Sequence, residues 1–187
     1  VTLTAAANPG WTFAGWSGHV DSTDNPLELT IEGDTHVTAT FTQNDYTLDV
    51  NTFGEGEVTK EPEQEVYNYG DVVTLTAAAN PGWTFAGWSG DVDSSENPLV
   101  LTIQSDTYVT ATFTQDEYNL DVKVVGAGDV DVEPNKATFS YGDVVTLTPA
   151  ADPGWTFDAW SGPDAGDLVD NSNGSWDLMI DDNKSVT

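Results

Sequence analysis

Apolar and polar residues alternate along most of the chain. Between Tyr46 and Glu117, Tyr46, Leu48 and Val50 are separated by Thr47 and Asp49, and Val73, Leu75 and Ala77 by Thr74 and Thr76. Leu99, Leu101 and Ile103 follow the same rule, as do Val109, Ala111 and Phe113. A period of two rich in Thr and Val predicts strands with one face buried, and no long stretch carries helical spacing. Turn residues punctuate these runs. Gly54-Glu55-Gly56 predicts a hairpin, Tyr69-Gly70-Asp71 a turn before the next strand, and Ser105-Asp106 a hairpin joining Leu99–Ile103 to Val109–Phe113. Asn80-Pro81-Gly82 puts Pro where φ is already set and Gly where φ must be positive, the requirement of a type II turn. About six or seven short strands with a turn signal every ten residues or so predict an all-β unit, a small two-layer sandwich or compact barrel open to a β-grasp relation.

The unit is repeated. VTLTAAANPGWTFAGWSG occurs at Val1–Gly18 and unchanged at Val73–Gly90, and VTLTPAADPGWTFDAWSG follows at Val145–Gly162, a spacing of 72 residues both times. Such a period is too long for a solenoid turn and long enough for a small domain, so the chain reads as about 2.6 tandem β-sandwich-like units arranged end to end. Residues 1–45 are the C-terminal part of a first repeat, 46–117 a complete second repeat, and 118–187 a third that stops before its final strand. Partial units at both ends suit a window on a longer protein, or half-units that complete those of neighbouring molecules by strand donation. At this size each unit is marginal alone and gains from its neighbours. Only four residues separate Phe41 from Tyr46, and Phe113 from Tyr118, with no Gly/Ser or Pro tether, so the units are expected to abut in a rather stiff rod of roughly 30–40 Å per unit. In the third copy Ala159 stands where the second has Gly87, and Pro163–Ser175 is five residues longer than its counterpart, which marks this connection as a surface loop in every copy.

A Gly-turn-Gly hairpin, a Tyr-Gly-Asp turn, VTLTA, PGWTFAGWSG, Asn-Pro-Leu and a closing VTATFT, taken together, resemble the divergent internalin-B-type (InlB) B-repeat family over nearly the whole chain. The resemblance implies a mostly-β extracellular module, found in tandem in adhesins and cell-envelope proteins, without enzymatic activity and with no catalytic residues to carry over. The longer third loop and the acidity depart from that pattern.

Charge changes the picture more than any motif. There are 32 acidic residues against four lysines and no arginine, giving a formal net charge of -28. Phosphate backbones and anionic membrane surfaces would be repelled, so nucleic acid and direct membrane insertion are excluded as partners. The absence of Cys removes disulfides and thiol chemistry. The Debye length is about 8 Å at physiological salt and about 3 Å near 1 M, so a dense carboxylate surface is tolerated best in brine; an extracellular protein of a halophilic, archaeal cell is expected. Lys60, Lys123, Lys136 and Lys184 occupy four different repeat positions, which argues against intramolecular Lys–Asn crosslinks.

Candidate sites are few. The repeated motif residues are Pro9, Gly10, Trp11, Phe13 and Trp16; Pro81, Gly82, Trp83, Phe85 and Trp88; and Pro153, Gly154, Trp155, Phe157 and Trp160. Their aromatic rings read first as core and second as a glycan platform, with one Trp of each pair free to face solvent because the two are five apart. Asp91, Asp93 and Glu96 are a weak calcium candidate, since calcium takes six to eight oxygens; otherwise no metal or cofactor is expected. Asn173 and Asn183 lie in glycosylation sequons. His19 and His36 read as surface residues. The expected function is a non-enzymatic stalk, fibre or filament whose partners are neighbouring repeats and other copies of itself; the alternative is an adhesin gripping glycan or another surface through loops or exposed Trp. If the charge reading holds, the melting temperature should climb steadily as NaCl is raised from about 0.1 to 3 M; a transition indifferent to salt over that range refutes it.

Overall fold

The computed structural model describes residues 1–187, and nearly all regular structure in it is strand. Repeat 1 contributes β1 (Thr2–Leu3), β2 (Trp11–Gly18), β3 (Leu27–Glu28) and β4 (Val37–Gln43). Repeat 2 contributes β5 (Leu48–Phe53), β6 (Gly56–Glu61), β7 (Val72–Ala79), β8 (Trp83–Gly90), β9 (Leu99–Thr102) and β10 (Thr107–Gln115). Repeat 3 contributes β11 (Leu120–Val122), β12 (Gly128–Glu133), β13 (Val144–Ala151), β14 (Val169–Asp170), β15 (Trp176–Met179) and β16 (Lys184–Val186), with one 3-10 turn at Ala165–Asp167.

In the complete repeat the strands form two sheets of three, ordered β5-β10-β8 and β6-β7-β9. β7 runs antiparallel to β9, Val73 opposite Leu101 and Leu75 opposite Leu99. β10 runs parallel to β5, Val109 opposite Val50 and Ala111 opposite Thr52. The predicted alternation is the burial pattern. Val73, Leu75, Ala77, Leu99, Leu101, Ile103, Val109, Ala111 and Phe113 are all buried, and Thr76, Val100 and Thr102 between them are exposed.

Two predicted hairpins are not hairpins. β9 and β10, joined through Ser105-Asp106, lie in different sheets, and so do β5 and β6 around Gly54-Glu55-Gly56. Both turns are corners between layers. A reversal within one sheet and a crossing between two sheets use the same turn residues, and a period of two looks the same in either layer. The parallel β5·β10 pair joins the repeat's first and last strands, a pairing that no local signal encodes.

Repeats 1 and 3 hold parts of this plan. Repeat 1 has two pairs, β1-β3 and β2-β4, around Ala5, Trp16 and Leu27. Repeat 3 has a four-stranded sheet, β12-β13-β15-β14, and the parallel pair β11-β16. Its core is Phe139, Val145, Leu147, Leu178, Ile180 and Val186, and all but Phe139 fall at predicted strand positions. The longer third loop is more than loop, because it carries the 3-10 turn and pairs β14 with β15. By packing, the chain forms two compact units that do not end at repeat boundaries. One comprises Val1–Phe53, Glu57–Ala78 and Ala86–Thr112; the other comprises Gly54–Gly56, Ala79–Phe85 and Phe113–Thr187.

Phe113 shows how tightly the closing strand is fitted. It is 1% exposed, its ring meets Phe85 edge-on at 5.8 Å, and it lies so close over Gly56 that a side chain there would collide with it. Truncating it removes a ring from a site with no room to collapse, so Phe113→Ala should cost about 3–5 kcal/mol by chemical denaturation. A loss under about 1 kcal/mol would contradict this packing.

Candidate functional site

The motif around Pro-Gly-Trp builds the feature that recurs between repeats. The Pro-Gly turns form as their chemistry requires. Trp11, Trp83 and Trp155 each donate their amide to the carbonyl three residues back, on Asn8, Asn80 and Asp152, at 3.0, 3.0 and 2.9 Å. The glycines have positive φ, 78° at Gly10, 77° at Gly82 and 88° at Gly154. With no side chain at the apex, the backbone can approach a neighbour closely. Gly10 of repeat 1 lies directly against the Tyr69 side chain of repeat 2, and Gly82 of repeat 2 against Tyr141 of repeat 3, so closely that a methyl group at either glycine would collide with the tyrosine.

The short linkers reinforce these contacts. Asn44 donates its amide to Gly10 O at 2.8 Å, and Thr12 Oγ1 donates to Asn44 Oδ1 at 2.7 Å. Asp116 and Thr84 reproduce both bonds around Gly82, again at 2.8 and 2.7 Å. The Tyr-Gly-Asp turn is held in turn by Asp71, whose carboxylate accepts the Asn68 amide at 2.8 Å. In repeat 3 nothing lies near Gly154.

Behind the turn, the strand carrying the tryptophans is bent by a bulge. The pairing of β2 with β4 shifts register between Phe13 and Gly15, and Gly15 and Gly87 have φ of 153° and 149°. The bulge changes the parity on which the expectation of opposite-facing tryptophans rested. Phe13 and Trp16 therefore share a face, their ring centroids 5.1 Å apart. Trp16 and Trp88 are core residues, and their indole N–H groups donate to Asp24 O and Glu96 O, both at 2.8 Å. Trp83 is half-buried. Trp11 is 43% exposed and Trp155 58%, so in these two pairs the first Trp is the ring that faces solvent. Both follow directly on the Pro-Gly turn, Trp11 as the first residue of β2.

Repeat 3 departs where its sequence does. Ala159 replaces the bulge glycine and has no positive φ. Residues 155–161 form no regular strand, and the buried Trp160 Nε1 has no hydrogen-bond partner. Trp176 takes the position of Leu99, and its ring packs 5.2 Å from Phe157 and 6.0 Å from Trp160, an aromatic trio the sequence pattern did not single out.

The remaining candidates are dispersed. No group of three or more acidic or histidine side chains is placed to hold a metal ion. Asp91 is engaged elsewhere, accepting the Tyr108 amide at 2.8 Å. His19 does the same work in repeat 1, its Nδ1 accepting the His36 amide at 2.8 Å, so the two exposed histidines meet. Asn173 is exposed, with its Oδ1 accepting from the Ser175 amide and hydroxyl, and Asn183 Oδ1 accepts the Asn119 amide at 2.9 Å.

Two features escaped the sequence reading. Asn25 and Asn97 act as a strand's edge, each giving one bond to and taking one bond from the backbone of Ala5 and Ala77, at 2.7 and 2.9 Å. The Asn-Pro-Leu motif signalled these positions without revealing the role. Lys184 is the other. Its side chain is 5% exposed and its Nζ lies 2.6 Å from Asp181, 3.0 Å from Asp167, 3.1 Å from Asp182 and 4.0 Å from Asp164. The Asp181 hydrogen bond holds the Lys184 amine well above its ordinary pKa against the opposing effect of burial, and holds the Asp181 carboxyl below its own. Asp177 is likewise lowered, by hydrogen bonds from Thr146 and Asn171, and Asp143 by the Ser140 amide and then Lys136.

The divergent InlB B-repeat domain family matches residues 1–45, 46–117 and 118–187, and the chain belongs to that family. No curated protein and no solved structure matches it.

The junction predicts a contrast between equivalent glycines. Gly154→Ala meets only the strain of a positive φ, about 1–2 kcal/mol. Gly82→Ala adds a collision with Tyr141 and should destabilise by at least about 1 kcal/mol more in denaturant titration. Equal losses would mean the glycine–tyrosine contact is not tight.

Proposed function

We propose that this member of the B-repeat family is a non-enzymatic extracellular spacer, a stalk or fibre element on a cell that lives in high salt. The observation that carries the reading is the repeated junction. The same glycine-on-tyrosine contact, with the same two linker hydrogen bonds, joins repeat 1 to repeat 2 through Gly10 and Tyr69, and binds Gly82 of repeat 2 to Tyr141 of repeat 3. A junction of fixed geometry restricts swivelling between modules, which is what a spacer requires and a flexible tether does not. The family's usual setting supports an extracellular place. The dense negative charge supports a saline one, and an archaeal source is the natural extension of it.

A second reading has one observation in its favour. Trp11 is exposed and lines a shallow recess with Ala6, Asn8 and Phe41, a shape on which a sugar ring could stack. In this reading the array is an adhesin, and a glycan array probed with the wild type and with Trp11→Ala separates it from a plain spacer.

The spacer reading is tested by reach. Arrays of two, four and six complete repeats, studied by small-angle scattering in high salt, should lengthen by a constant increment of roughly 30–40 Å per repeat. A maximum dimension growing with the square root of repeat number, as in a flexible chain, would refute it.

A further inference from the structure

We propose that the outer edge of β9 in the complete repeat is a lateral docking site, and that its occupant is β9 of a second copy of this chain, the two strands running antiparallel about a two-fold axis. The inference goes beyond the spacer reading and needs only the fold of repeat 2.

The edge follows from the ladder. β9 ends the sheet β6-β7-β9, and its inner side pairs with β7. Ile103 donates its amide to Asp71 O at 2.8 Å, so the alternation of an antiparallel ladder turns the backbone groups of Leu101 and Leu99 toward β7 as well, and those of Val100 and Thr102 outward. Repeat 3 shows what such an edge accepts. Its β15 is the counterpart of β9, and there β14 of the longer loop adds as an antiparallel strand, Val169 standing opposite Asp177, the residue equivalent to Val100. Asp177 fastens that segment by accepting from Asn171 Nδ2 at 2.9 Å. In repeat 2 the shorter loop supplies no such strand. Val100 is 62% exposed there, and Val72, on the same face of the sheet, 54%.

Charge identifies the occupant. An open edge is ordinarily guarded by a charged side chain, a bulge or a covering segment. At the positions of Val100 and Gln104, repeat 1 has Glu28 and Glu32, and repeat 3 has Asp177 and Asp181. Of the other edge strands of repeat 2, β5 carries Asp49, β6 carries Glu57, Lys60 and Glu61, and β8 has Gly87 at a φ of 149° and is bridged at Trp88 by Ser94. β9 has none of these guards, and the whole stretch Asn97–Ser105 is uncharged in a chain of net charge -28. An acidic strand laid on this edge would carry carboxylates into the contact; a second β9 carries none. Antiparallel pairing about a two-fold axis sets Val100 of each copy opposite Thr102 of the other, so that each donates its amide to its opposite number and accepts one in return. The contact is short, which sets a dissociation constant of roughly 10 μM to 1 mM. Both copies are strongly acidic elsewhere, so salt is needed to bring them together.

The test uses the full chain in about 2 M NaCl, where self-repulsion is screened. Sedimentation equilibrium should show a mass that rises from 20.0 kDa toward twice that value between about 10 μM and 1 mM. Over the same range the amides of Val100 and Thr102 should exchange with deuterium progressively more slowly. Thr102→Pro removes an amide that points away from β7, the setting in which a sheet tolerates proline, and should weaken association at least about 10-fold while the melting transition is kept. Val100→Glu combined with Gln104→Glu gives repeat 2 the side chains that repeat 1 already carries at these positions, and should weaken association by a route that leaves the backbone amides in place. A monomer at every concentration up to about 1 mM overturns the proposal. So does association that either variant leaves unchanged, or association in which the two amides keep the monomer's exchange rate, since the contact would then lie elsewhere or take another occupant. None of these results bears on the length increment per repeat, so the spacer reading stands or falls separately.

Discussion

The structure depends on the insertion of one strand between two others. In the complete repeat, β10 closes the sheet by running parallel to β5 and beside β8, and it drives Phe113 onto a floor made of glycine. The constraint is topological as much as energetic. A small sandwich buries too little surface to be stable with an open layer, so the last strand of the repeat must return to the first. Beside it, the tryptophan segment of repeat 2 is an eight-residue strand.

The junction between repeats follows from the same economy. Cores this small gain by sharing surfaces, and the Pro-Gly apex lets the backbone of one repeat lie against the base of a neighbour's tyrosine side chain. Gly10 on Tyr69 and Gly82 on Tyr141 are the outcome. The linker residues Asn44 and Asp116 differ chemically, yet both offer an amide to the glycine carbonyl and a side-chain oxygen to a threonine. Backbone geometry therefore sets the contact, and either side chain satisfies it.

The charge is handled at the surface with few counterions. Of four lysines, only Lys184 is buried, and its amine lies among four aspartates. Elsewhere carboxylates serve as hydrogen-bond acceptors for backbone amides, as Asp71, Asp91 and Asp106 do. An acidic residue that caps a turn is stabilised by the local amides and does not need a lysine.

Much was legible in the chain. Alternation named the buried positions, because a side chain on a strand has only two directions and one faced the core. The Pro-Gly turns were legible because only those residues fit the φ values, and the 72-residue period gave the modules. What remained hidden was whatever depends on residues far apart. The bulge at Gly15 put Phe13 and Trp16 on one face against their spacing. The roles of Asn25 and Asn97 as surrogate strand edges could not be seen from Asn-Pro-Leu, and the corners at Gly54-Glu55-Gly56 and Ser105-Asp106 looked like hairpins. Sequence alone thus determined the class of structure, its modules and their inward faces, since these are local matters of φ, period and side-chain direction. Which strand pairs with which, and what each module offers its neighbour, was decided only in three dimensions, because hydrogen bonding between strands is blind to side-chain identity and is settled by which arrangement closes the layer.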